Sequence, residues 1–222
     1  MDYFFYLVVV SLLLCSASLI VRSTYSKYAE IRTSSDKTGC DVVIDMKNKY
    51  SLNNVNIEVI PGVLTDHYNP KRKTIALSKG NYYEATIAGI AVAAHEMGHA
   101  IQDKNRYFFF RLRQGMGKLT IVASNLSWII IFLGFVMWTL PLVYFGIVLF
   151  AITVIFEIIT LPVELDASRR AKEYLSSTGA YTKQEVEGMS KVLNAAAFTY
   201  IASTLAGILQ LIRLLGIVRS RD

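Results

Sequence analysis

Long apolar stretches separated by polar segments rich in Lys and Arg organise this chain. Residues 3–21 carry no charge and are long enough to cross a bilayer, whose hydrocarbon core takes about 20 helical residues. The only charge before them is Asp2, where a secretory signal would place Lys or Arg, so the stretch reads as a retained anchor. Residues 119–163 hold a single charge, Glu157, and are long enough for two crossings, with Trp138, Thr139, Leu140 and Pro141 forming the turn between them. Residues 192–218 are apolar enough for a fourth. There, Thr199, Ser203, Ala206, Gln210 and Arg213 recur on one helical face, a stripe expected to meet protein or a wet cavity rather than lipid. That segment is either a fourth membrane helix or a buried apolar helix.

The polar segments give a different pattern. Val42, Val43 and Ile44 suggest a short strand, although a helix fits as well. Residues 56–60 and 63–64 are strand-like, split by Pro61 and Gly62. After a turn over Asn69, Pro70, Lys71, Arg72 and Lys73, residues 74–77 read as the returning strand of a small hairpin. A helix over 82–102 follows, with Asn81 and Glu84 as its expected cap pair. An edge strand just before such a helix suits alignment of an extended peptide by backbone pairing. Residues 164–191 begin as a charged helix that ends at Ser176, Ser177, Thr178 and Gly179. Thr182 and Glu185 form a capping box for the last helix. The fold class is thus mainly α: a helical integral membrane protein of three to four crossings, with a small β hairpin in the polar part (22–118), all in one domain over 1–222.

Composition supports the membrane class: hydrophobic residues make up 53% of the chain, with a mean hydropathy of +0.39. The net charge of +6 would suit nucleic acid, but the basic residues lie beside apolar runs, which fits topology signals and anionic headgroups instead. Arg22, Lys27, Arg32 and Lys37 follow the first crossing, and Lys104, Arg106, Arg111, Arg113 and Lys118 precede the second. Both clusters place the polar part in the cytoplasm. Tyr107, Phe108, Phe109 and Phe110 within the second cluster suit the headgroup boundary. Cys15 sits in an apolar run and Cys40 in a polar one, so no disulfide is expected.

The chemistry lies in His95-Glu96-Met97-Gly98-His99, an H-E-x-x-H pentad that takes two of the chain's three histidines. On a helix, residues four apart share a face, so both imidazoles can grip one ion. Glu96 beside them can take a proton from the attacking water. A catalytic zinc site usually has three protein ligands. The metzincin position six residues after His99 is Asn105, which excludes that class. His67 is the remaining histidine, and Glu157, Glu164, Glu173, Glu185 and Glu187 are the carboxylates beyond the pentad. Chain topology returns Glu164 to the membrane face that carries the pentad, which favours it as third ligand.

The stretch Ala93-Ala94-His95-Glu96-Met97-Gly98-His99-Ala100-Ile101-Gln102, taken with Leu161-Pro162-Val163-Glu164-Leu165-Asp166-Ala167-Ser168-Arg169-Arg170-Ala171, resembles the YugP-type membrane zinc metallopeptidases of bacteria. Leu64-Thr65-Asp66-His67-Tyr68 and Ala76-Leu77-Ser78 fit the same resemblance, which extends over most of the chain. The wider architecture is similar to HtpX-like heat-shock proteases and CAAX prenyl proteases, with a gluzincin-like zinc site. The resemblance implies one Zn2+ held by His95, His99 and Glu164, with Glu96 as general base. Those relatives carry an aspartate four residues after the third ligand, and this chain has Ser168 there. Asp166, Ser168 and Asp103 are the candidates for orienting the imidazoles. His67, Arg169, Tyr83 and Tyr200 are the candidates for stabilising an oxyanion. The expected activity is endopeptidase cleavage of peptides or membrane-protein segments at the cytoplasmic face of a bacterial plasma membrane, with the bilayer itself as a partner. The alternatives are a proteolytically silent membrane scaffold or a transporter subunit using Glu157 and the 199–213 stripe.

Overall fold

The structure, a computed structural model, describes residues 3–219. Seven helices and three strands follow in the order α1 (Tyr3–Ala29), α2 (Gly39–Lys49), β1 (Asn56–Ile60), β2 (His67–Asn69), β3 (Thr74–Ser78), α3 (Lys79–Tyr83), α4 (Ile87–Lys104), α5 (Phe108–Val136), α6 (Leu140–Ser177) and α7 (Lys183–Arg219). Four of them, α1, α5, α6 and α7, are long and apolar enough to cross a membrane. Their outward side chains are large and apolar, as lipid-facing residues are, with Phe132 at 66% and Ile129 at 56% exposure.

Residues 42–44 belong to a helix and not to a strand. Thr38 and Asp41 form a capping box at the start of α2, and Val42, Val43 and Met46 point together into the core. The β element also differs from a simple hairpin. The sheet order is β1-β3-β2, with β1 parallel to β3 and only β2 antiparallel to it across the turn at Pro70. Residues 63–64 are not strand but part of the loop that leads into β2. All five residues of the central strand β3 are buried. It packs with Met46 of α2, Ile90, Ala94 and Met97 of α4, Leu175 of α6 and Met189 of α7 in one core.

The expected cap at Asn81 is occupied differently. Asn81 lies in α3, where its side chain accepts from Tyr25 and donates to Asp66. Thr86 caps α4 instead, its hydroxyl accepting from the Gly89 amide at 3.1 Å. The end of α6 at Thr178 and the Thr182–Glu185 box at the start of α7 lie where the sequence places them. Neither cysteine is in a disulfide.

α6 unites two segments that read separately in the sequence. It runs unbroken from the turn at Thr139 through Pro162 and Glu164 to Ser177. Pro162 removes one amide from the hydrogen-bond ladder, which the surrounding packing tolerates. α5 likewise starts at Phe108, well before 119, and takes Arg111 and Arg113 into its first turns. Glycines set the closest approaches. A Cβ on Gly134 would lie 2.7 Å from the Val143 backbone, which ties α5 to α6. A Cβ on Gly98 would lie 2.7 Å from the Ala167 carbonyl oxygen, so only glycine lets α4 press its histidine face against α6.

Candidate metal centre

α4 buries almost its whole length, and its small residues let α6 come close enough for side chains to meet. His95 and His99 project from one face of α4 with their rings edge to face, centroids 4.8 Å apart. Glu164 reaches them from α6. Its Oε2 lies 3.2 Å from His95 Nε2 and 3.6 Å from His99 Nε2, and among the described residues these three form the one group able to hold a metal. With zinc–donor bonds near 2.1 Å, the edge of a tetrahedron around zinc is about 3.4 Å. The donor spacing therefore fits that ion. The side chains of His99 and Glu164 are 9% and 3% exposed, and His95 is 14% exposed on the cleft side.

Hydrogen bonding leaves both Nε2 atoms facing the site. The amide nitrogen of buried Gln102 donates to the Val163 carbonyl at 2.8 Å and to Asp166 Oδ2 at 2.9 Å. With both amide hydrogens used, Gln102 Oε1 is left to accept from His99 Nδ1 at 3.1 Å. That puts the proton on Nδ1 and the lone pair on Nε2. Ser168 Oγ lies 3.1 Å from His95 Nδ1 and engages that nitrogen, with Nε2 of the second ring toward Glu164. Burial, the largest single influence on His99, works against its protonated form. The Glu164 and Glu96 carboxylates outweigh it, and the pKa lies above the ordinary histidine value.

The structure distributes the other candidates. Ser168 is on His95. Asp166 reaches His99 only through Gln102 and is itself clamped by Arg169 and Arg170. Asp103 is turned away: it accepts from Tyr68 at 2.8 Å and pairs with Lys73. Burial, and then that carboxylate, hold the Tyr68 phenol above its ordinary pKa. His67 is exposed on β2 with Nδ1 on the Thr65 carbonyl and is not one of the clustered donors. Arg169 pairs with Asp166 and Glu173 on the outer face, and Tyr83 is 63% exposed. Two residues were missed. Arg113 of α5 donates to Glu164 Oε1 at 2.8 Å, leaving one carboxylate oxygen for the ion. Gln102 is the other, and its place three residues after His99 on the same helix face was a signal the sequence contained.

A cleft of about 130 Å³ opens on the same histidine face. Leu64 and Asp66 line it from the loop before β2, His95 and Glu96 from α4, and Val192, Ala196 and Tyr200 from α7. Asp66 is fixed by the Ser78 amide at 2.7 Å, which holds that loop against the core. Tyr200 faces Glu164, Arg113 and Glu96 together.

Replacing Gln102 with Leu keeps the volume and removes the partner of His99. Zinc affinity is expected to fall about 10–100-fold, the usual effect of losing a group that orients a ligating histidine. Isothermal titration against wild type measures it.

Two imidazoles and a carboxylate converging beside a second glutamate are the donor set of a metal-dependent hydrolase. Here that set is built on helices able to cross a membrane. The chain belongs to the family described as "Putative neutral zinc metallopeptidase", whose model matches residues 3–219. It is 38% identical over 197 residues to the "Putative membrane protease YugP" of Bacillus subtilis, covering 89% of this chain and 88% of that protein. No solved structure matches.

Proposed function

We propose that this chain is a zinc endopeptidase of the membrane, with His95, His99 and Glu164 holding one zinc ion and Glu96 acting as general base. The observation that carries the reading is the convergence of three donors at ligand spacing, with both histidine Nδ1 atoms already engaged elsewhere. A bound zinc supplies an acidified water and a Lewis acid for the substrate carbonyl. The chain's own groups do the rest. Glu96, 7% exposed and lining the cleft, accepts the proton of the attacking water and returns it to the leaving amine. Tyr200, across the cleft from Glu96, is placed to donate to the oxygen of the tetrahedral species. Arg113 keeps Glu164 in position. The free edge of β2, continuous with Leu64 and Asp66 at the cleft, pairs with an extended peptide.

The basic residues flanking the spans support a cytoplasmic site, and its place at the mouth of α6 favours membrane-protein segments and unfolded chains as substrates. Purified protein in proteoliposomes is expected to contain about one zinc per chain, held by the His95, His99 and Glu164 cluster. It should cleave casein, lose that activity on chelation and regain it with added zinc. A metal-free protein that cleaves casein at an unchanged rate would overturn the reading.

A further inference from the structure

We propose that the seam between α6 and α7 holds bound water, anchored by Glu157, Thr160 and Thr204, and that this water hydrates the metal centre from the membrane side. The second half rests on the metal-centre reading above. The first half does not.

On α6, positions 157, 160 and 164 are spaced three and four apart and share one face. On α7, positions 200, 204 and 207 share a face for the same reason. Two contacts fix how these faces meet. Tyr200 faces Glu164 at one end, and at the other a Cβ on Gly207 would lie 2.7 Å from Glu157 Oε2. Antiparallel helices in that register place Thr160 opposite Thr204, between the two ends. A polar column therefore leads from the donor cluster into the membrane-crossing part of the bundle.

The column is unsatisfied. Among the described residues, Glu157 Oε2, Thr160 Oγ1 and Thr204 Oγ1 are the buried side-chain oxygens without a hydrogen-bond partner. Both threonines are 7% exposed. Other hydroxyls on the same helices close onto their own backbone: Thr153 on the Phe150 carbonyl at 2.7 Å, Thr199 on Ala196 at 2.7 Å and Ser203 on Tyr200 at 3.1 Å. That local bond is the ordinary solution for a helical hydroxyl. Thr160 and Thr204 do not use it, and their oxygens stay buried without a partner. Bound water takes two to four polar partners in such places. One carboxylate and two hydroxyls meet that need, whereas they are too few hard oxygens to replace the shell of a divalent cation. The absence of a Cβ at Gly207 lets the Glu157 carboxylate lie directly against α7, at the seam.

The test uses the full chain in proteoliposomes. Val154, 2% exposed and beside Gly207, serves as reporter for X-ray radiolytic labelling in H2(18)O. Wild type and Thr160→Ser/Thr204→Ser, which keeps both hydroxyls, are expected to label at Val154. Thr160→Val/Thr204→Val is expected to lose the label several-fold, with unchanged zinc content. Its kcat on casein should fall several-fold at constant KM. An unlabelled Val154 in wild type overturns the proposal, as does a double valine variant with a raised thermal midpoint and undiminished kcat, because removing two idle buried hydroxyls from a dry seam stabilises the protein. Labelling requires neither zinc nor hydrolysis, so a chain that proves inactive on casein still reports on the water.

Discussion

Glu164→Ala is expected to yield a protein that retains no stoichiometric zinc and cleaves no casein. The substitution removes one of three donors and does so where nothing nearby can replace it. Glu157 lies two turns deeper on α6, and Asp166 is committed to Gln102, Arg169 and Arg170. Removal of the carboxylate also frees Arg113, whose guanidinium then faces two imidazoles and opposes a cation. Loss of affinity should exceed the roughly 10–100-fold associated with a merely orienting partner. His67→Ala is the matched control, because His67 is exposed on β2 and is not one of the clustered donors, and should keep its zinc. Metal analysis after dialysis decides between the two carriers of a third ligand. Zinc lost with His67 and kept without Glu164 would reverse the assignment.

Glu96→Gln should separate binding from catalysis. The side chain lines the cleft and is not one of the three clustered donors, so the variant should bind zinc as wild type does. Glutamine keeps the volume and the hydrogen-bonding reach but cannot take a proton. Turnover should fall about 10²–10⁴-fold, the usual worth of a positioned acid–base group. The signature is an inactive enzyme with a full metal complement and an unchanged unfolding temperature. Loss of zinc in Glu96→Gln would make Glu96 a ligand and remove it as base.

Much of this architecture could be read from the chain because it is written in local patterns. The apolar spans, the turn at Trp138, the Thr182–Glu185 capping box and the pentad helix all depend on residues within a few positions of one another. One local signal was passed over, and the other misreadings depended on distant partners. Val42 and Val43 favour strand by type, but the Thr38–Asp41 box in front of them fixes a helix, and that signal was present. The parallel pairing of β1 with β3 joins strands separated in sequence by β2, which no pattern within the strands announces. Asn81 looked like a cap because it precedes the helix, yet Tyr25 and Asp66 claim it in space. In the same way Arg113 read as one more basic residue at a membrane boundary. Its place on Glu164 depends on where α5 leaves α4, and that is a property of the packed structure.

The unbroken course of α6 governs how this protein can be taken apart. At about 1.5 Å per residue its 38 residues make a rod of about 57 Å, nearly twice the hydrocarbon thickness of a bilayer. Its first part is an apolar span and Glu164 lies further along the same rod, so no break in the helix separates the segment able to cross a membrane from the proposed donor. On the proposed reading, anchoring and catalysis are carpentered from a single beam, and cleavage is confined to whatever the membrane brings within reach.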